Sequence, residues 1–207
     1  QSPRHRFTVV ADVAVVSMHD RWGVPVKIRP ATANDFAAIW PIFEDIVSRG
    51  DTYAYPRATT RAEAERLWIT IPRVTFVAEE AGVIVVTFFL KTNQDGPGDH
   101  VCNCGYMVAA AARGKGVASA LCTHSQEIAR ELGYVAMQFN FVAATNTGAV
   151  RLWQKLGFEI VGTLPGAFRH PAQGYVDAFV MYKWLGDDCA CAVPGRLDGD
   201  PERLQPR

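Results

Sequence analysis

The chain has no excess charge of either sign, since 21 lysines and arginines stand against 21 aspartates and glutamates. A balanced chain exerts no long-range pull on nucleic acid or on an anionic membrane, so neither is expected as a partner. Any anion it binds must be held by local geometry. Cysteine is scarce and badly spaced for metal: the five thiols fall at 102, 104, 122, 189 and 191. Neither Cys-x-Cys pair has knuckle spacing, no histidine follows at finger spacing, and an odd count argues against a complete disulfide framework. No metal is expected, and the thiols suggest a reducing, cytoplasmic setting. Long apolar runs are absent too. Val9–Val16 is interrupted by Asp12 and Gly82–Leu90 is short, against the roughly 18 residues of a membrane span. Arg4 and Arg6 precede the first run as they would in a signal peptide, but no small-x-small cleavage site follows it. No internal repeat is visible.

What is present suits one globular domain: 207 residues, 49% hydrophobic and 11% aromatic. A chain of this size buries roughly 70% of its unfolded surface and needs no staple. Residues 1–24 are expected to be a poorly ordered extension, 25–186 the domain and 187–207 a flexible tail rich in Gly, Asp, Pro and Arg. Gln1 is not an initiator, and Met18 is an alternative start.

The periodicities predict a mixed α/β (α+β) fold. A strand at Val26–Arg29 is followed by a helix capped at Thr32 or Asn34 that carries Phe36, Ile39, Phe43, Ile46 and Val47 and closes at Gly50. Thr60-x-x-Glu63 is a capping box opening a second helix, which Pro72 ends. Thr75–Glu79 and Val83–Lys91 read as a hairpin, and His100–Val108 as the fourth strand. A helix over Gly116–Leu132, a strand at Val135–Val142 and a helix over Asn146–Leu156 follow, the last ending at Gly157. Phe158–Gly162 and Tyr175–Trp184 are the last strands, joined by a long connection through two prolines and two glycines. Hairpins alternating with crossover helices require a mixed sheet.

The most informative segment is Arg113-Gly-Lys-Gly-Val-Ala118, which follows a strand and opens a helix. The first amides of a helix have no intrahelical partner, and they carry partial positive charge. Glycines let a bulky anion approach them, and Arg113 and Lys115 add full charges. The turn therefore suits a pyrophosphate, although a basic Gly-rich helix start is also an ordinary surface turn. It is neither a Walker A loop nor a G-x-G-x-x-G dinucleotide fingerprint.

Arg113–Ala118 resembles the [QR]-x-x-G-x-[GA] acyl-CoA loop of the GCN5-related N-acetyltransferases. Asn146 with Leu152-Trp-Gln-Lys-Leu-Gly-Phe158 resembles that superfamily's second signature, N…LYxKLGF. The order of elements agrees over roughly residues 26 to 185. The runs Cys102–Val108 and Met137–Asn146 look more narrowly like the azetidine-2-carboxylate (proline-analogue) acetyltransferases of fungi. The resemblance implies a six- to seven-stranded sheet with about four helices, and a splay between the fourth and fifth strands that takes acetyl-CoA. It assigns the pantetheine arm to the backbone of Tyr106, Met107 and Val108, one of whose amides polarises the acetyl carbonyl. It gives the pyrophosphate to Arg113, Gly114, Lys115, Gly116, Val117 and Ala118, and a further cofactor contact to Asn146, which is also a natural N-cap.

Two departures from the family pattern bear on mechanism. The tyrosine that many members use as an acid is Trp153 here, and the fourth-strand glutamate is replaced near Asn103. Neither residue titrates usefully, so the leaving thiolate departs on its own low basicity or through water. Asn103 and Asn140 are the expected grip on the acceptor across the splay; the plainer reading is a pair of amides bonding backbone where the strands part. Tyr53, Tyr55, Arg169 and His170 are expected around the acceptor pocket, and His100 is either a proton relay or a loop-end histidine. The implied activity is transfer of acetyl to the amine of a small amino acid or imino acid. A protein acceptor and a non-catalytic acyl-CoA binder are the alternatives. The family's homodimeric habit is left open by the residues.

Overall fold

The computed structural model describes residues 16–18, 26–114 and 116–186. Its strands are β1 (Val16–Met18), β2 (Val26–Pro30), β3 (Val74–Glu80), β4 (Val83–Thr92), β5 (Val101–Val108), β6 (Ala136–Ala143), β7 (Glu159–His170) and β8 (Gly174–Trp184). The helices are α1 (Phe36–Arg49), α2 (Arg61–Glu65), α3 (Val117–Glu131) and α4 (Thr147–Lys155). Strands lie in the order β1-β2-β3-β4-β5-β6-β8-β7. Every neighbouring pair is antiparallel except β5 and β6, which α3 connects as a crossover. The expected six to seven strands are β2–β8, so the fourth and fifth strands of the sequence reading are β5 and β6. One difference lies at the edge: Val16–Met18 falls inside the expected extension yet pairs with β2. The rest of that extension and the expected tail lie outside the described residues.

Helices cover both faces, as the apolar stripes require. The α1 stripe, with Ala64 and Trp68, packs on Val77, Phe89 and Met107. On the other face Val117, Leu121 and Ile128 of α3 and Trp153 of α4 bury Phe76, Phe88, Leu90 and Cys104. The caps agree with the sequence at Thr60–Glu63 and Asn146, and Gly50 turns left-handed at φ 67°. The second helix departs from expectation. After Glu65 it widens into a π turn, Arg66–Thr70, which seats fully buried Trp68 so that its Nε1 donates to Thr87 Oγ1 at 2.9 Å.

The larger correction is at β7. The long connection expected over 163–174 is mostly strand, running to His170. The ladder with β8 shifts between Leu164 and Phe168, leaving Pro165–Ala167 opposite Asp177, whose Oδ1 accepts from Gly166 N at 2.9 Å. Proline and glycine here mark a bulge, where a lost ladder donor does no harm.

The splay that positions the site follows from register. β5 and β6 pair only at Val101–Ala136, Cys102–Met137 and Asn103–Gln138. Beyond Asn103 and Gln138 the two strands part. β6 also carries a bulge against β8 between Phe139 and Val142, which sets Asn140 and Phe141 off the ladder.

Candidate active site

The parting strands open a cavity of about 890 Å³. One end is lined by Ala112, Arg113, Gly114, Gly116–Ser119, Asn146 and Gly148, and the other by Tyr53, Tyr55, Phe89, Lys91, Asn103 and Asn140. Gly105, Tyr106 and Val108 line it from β5, and Phe139 and Phe141 from β6.

The first end carries the turn that the sequence reading expected to take an anion. Gly114 and Gly116 adopt φ of 77° and 79°, a region that L side chains avoid. A Cβ at Gly114, Gly116 or Gly148 would meet nothing within 4 Å. Gly114 and Gly116 therefore serve backbone conformation and leave room beside the opening amides of α3, and Gly148 leaves room at the start of α4. Asn146 lines this end and caps α4, accepting from Ala149 N at 3.4 Å, so both readings of that residue coexist. Arg113 is exposed; its guanidinium donates to Asp45 Oδ2 at 3.0 Å and its Nε to the Val108 carbonyl at 3.3 Å. Lys115 lies outside the described residues.

Side chains alternate along β5. Tyr106 enters the core under α3, where its hydroxyl meets Ser125 Oγ at 2.5 Å, and Met107 is fully buried on the opposite face. Any contact either makes to a pantetheine is thus through backbone, and Met107 is not among the lining residues. The Tyr53 hydroxyl donates to the Tyr106 carbonyl at 2.8 Å. Its ring stacks on Tyr55 with centroids 5.6 Å apart. Burial pushes the Tyr53 phenol well above its ordinary value, so it stays protonated.

The expected amide pair is present in the cavity but its two members do not meet. Asn103 Nδ2 donates to the Gln138 carbonyl at 2.9 Å, at the apex of the splay. Asn140 accepts from Gln138 Nε2 at 2.9 Å and donates to Asn93 Oδ1 at 2.7 Å. Arg169 and His170 stand elsewhere, in an adjoining cleft of about 800 Å³ that shares Tyr53, Tyr55 and Phe141 with the first. They belong to β7 and not to a loop, and His170 Nδ1 accepts from Ala172 N and Gln173 N, both at 3.2 Å, closing the β7–β8 turn. His100 is exposed and lines neither cavity.

Trp153 is 8% exposed and packs on Tyr106 and Phe139, with centroids 5.2 and 5.0 Å away. An aromatic wall replaces the acid there. The sequence reading missed Arg49, Asp51, Thr52 and Lys91, all of which line the cavity. Asp51 Oδ1 and Thr52 Oγ1 are buried with no hydrogen-bond partner among the described residues. The turn after Gly50 signalled a loop; nothing local signalled what that loop faces.

A mixed sheet parted between two parallel strands, with a glycine-lined helix start at the opening, is the arrangement that the sequence resemblance implied. Residues 37–158 match the Acetyltransferase (GNAT) family, and the chain belongs to it, an acyltransferase by family. It is 30% identical over 151 residues to N-acetyltransferase aca1 of Schizosaccharomyces pombe, covering 65% of this chain and 72% of that protein. Its structure is similar to that of a GCN5-related N-acetyltransferase from Kribbella flavida, at TM-score 0.73 and 45% identity, covering 77% of this chain and 97% of the other. It also resembles in fold a phosphinothricin acetyltransferase from Sinorhizobium meliloti solved in complex with AcCoA, at TM-score 0.69 and 22% identity, covering 78% and 89% of the two chains.

Among the described residues no group of three or more His, Cys, Asp or Glu is placed to hold a metal, and no helix is long and apolar enough to cross a membrane.

Proposed function

We propose that the protein transfers an acetyl group from acetyl-CoA to the amine of a small amino acid or imino acid, directly, with both substrates bound. The observation that carries this reading is the single cavity. It joins an anion seat at Arg113–Ala118 to a polar, aromatic-walled chamber across the opened β5 edge. The residues fit acetyl-CoA: the open space at Gly114, Gly116 and Gly148 admits a diphosphate to backbone amides. When bound, acetyl-CoA supplies a thioester whose acyl carbon accepts the amine.

The chain's own work is then positioning. The Val108 amide, which the β4–β5 register turns toward the splay, would donate to the acetyl carbonyl oxygen as charge grows there. Trp153 and Phe139 exclude water from the thioester end. Tyr53, locked to β5, walls the acceptor chamber. The amine must arrive neutral to attack; no lining side chain offers an acid where Trp153 stands, so the proton the amine loses on forming the amide goes to water or to the departing thiolate, of ordinary pKa near 8.5.

Thiol release measured with acetyl-CoA and a panel of free amino acids, imino acids and peptides tests the reading. Turnover with free amino or imino acids is the expected result. The adjoining cleft beside Arg169 and Tyr175 favours a peptide acceptor as the second reading, and turnover confined to peptides would establish it instead. No release with any acceptor would leave a binding protein.

A further inference from the structure

Among the described residues, four charged side chains line the cavity: Arg49, Asp51, Lys91 and Arg113. Three of them are engaged. Arg49 and Arg113 both bind Asp45, at 2.6 and 3.0 Å, and Arg49 Nε stands 3.5 Å from Asp51. Lys91 is different. It is half-buried, and among the described residues no carboxylate pairs with it. Its Nζ lies 5.7 Å from the centroid of the Phe89 ring.

The β4–β5 register fixes where that ammonium sits. Lys91 is opposite Asn103, and Phe89 is opposite Gly105. The Phe89 ring covers Gly105 so closely that a Cβ there would come within 2.7 Å of it. The cation is therefore held beside the apex of the splay, on the face that carries Tyr53. The neighbouring amides are neutral and partly committed, each NH2 keeping one hydrogen for a further acceptor. Asn103 donates to the Gln138 backbone, and Gln138, Asn140 and Asn93 form a chain in which both ends of the Asn140 amide are used. Among the described residues that line this part of the cavity, Lys91 is the cation without a carboxylate partner.

A partly desolvated ammonium without a counter-charge is unfavourable, and a carboxylate delivered by a ligand relieves it. We infer that Lys91 is the specificity-determining residue of the acceptor site and binds the carboxylate of an amino-acid or imino-acid acceptor, an inference that rests on the function proposed above. A compact ammonium with three rotatable donors tolerates carboxylates set at different angles on different backbones. Arg169, which the sequence placed around the acceptor pocket, lines the adjoining cleft and not this cavity.

The test compares the best acceptor of the panel with its own carboxamide, using wild type, Lys91→Met and Lys91→Arg. In wild type the carboxylate is the better substrate. Lys91→Met raises KM for the carboxylate about tenfold to a hundredfold, as expected for a lost charge-assisted hydrogen bond. It leaves kcat within a few-fold and lowers kcat/KM for the carboxamide far less than for the carboxylate, and Lys91→Arg recovers most of the loss. Calorimetry with acetyl-CoA, unchanged in the variants, shows that the fold and the other end of the cavity are intact; if Lys91→Met does not fold, Lys91→Gln carries the same comparison. Equal losses for carboxylate and carboxamide, or a wild-type preference for the carboxamide, overturn the role of Lys91 while leaving the acetyltransfer reading in place. No turnover of any free amino or imino acid by wild type overturns that reading, and this inference with it.

Discussion

Tyr53 shows how a loop residue can govern a strand. Its composition as an apolar ring with a polar tip was readable in the sequence, and so was a place on a pocket wall. The partner was not readable, because Tyr106 is 53 positions away and the bond depends on α1 laying its C-terminal loop across β5. The hydroxyl pins a backbone carbonyl on the edge of β5 that the splay leaves open. Tyr53→Phe removes one buried hydrogen bond and leaves that carbonyl without its donor. The expected cost is about 1 kcal/mol in urea unfolding. A fall of about tenfold in kcat/KM is also expected, since small displacements of a substrate-facing strand are amplified in rate. Unchanged stability and rate together would show that the bond holds nothing. Cysteine is the counter-example, where local character sufficed. Cys102, Cys104 and Cys122 are small residues on buried faces, and all three are free and buried. Burial pushes the Cys102 thiol up to about 12 and that of Cys122 to about 11, which suits packing and not nucleophilic chemistry.

Elements were legible wherever their ends carry their own signals. Thr60 with Glu63, Asn146, Gly50 and Gly157 each act on neighbours within four residues, so the sequence alone locates them. β7 was misread because proline and glycine have the same local preferences in a bulge as in a loop; only the partner strand, with Asp177 bonding Gly166, decides between them. The start of α1 combines both kinds of information. Asp35 completes a capping box with Thr32, which is local. It also receives Arg29 in a two-pronged contact at 2.8 Å for each prong, and Arg29 continues to Glu79 on β3. The Arg29 bond holds the Asp35 carboxyl well below the usual carboxylate range. A depressed folded value means that this stabilisation is complete above the unfolded pKa, near 4, and is lost as pH falls through the folded one. With the Asp35 side chain only 13% exposed, Asp35→Asn should cost about 2 kcal/mol at pH 7. The difference from wild type should shrink as pH drops below about 4. Urea titrations of both proteins at several pH values check it, and a gap that stays constant down to pH 2.5 would contradict the assignment.

At the scale of the molecule, the sheet is two antiparallel parts, β1–β5 and β6–β8, joined along one short parallel seam at 101–103 and 136–138. Such a seam gives the protein an opening at the cost of ladder hydrogen bonds. A ligand spanning the opening contacts both parts and should stabilise the whole. Without net charge the chain cannot draw acetyl-CoA by field, so on the proposed function binding would depend on amides aligned at α3 and on the conformation that Gly114 and Gly116 permit. Mass action gives about 2.7 kcal/mol at a hundredfold excess over Kd, hence a rise of about 5–10 °C in Tm for a domain of this size. The rise should survive added salt better than binding through surface lysines would, since short-range donors are poorly screened. Gly116→Glu places a carboxylate in the anion seat and forces an L side chain to φ 79°, so the free variant should melt somewhat earlier. The informative quantity is the increment on adding acetyl-CoA, which is independent of that strain. It should vanish in Gly116→Glu at a concentration that saturates wild type, in thermal melts run side by side. An increment equal to wild type in the variant would move the anion seat away from this turn and leave the cavity without its cofactor end.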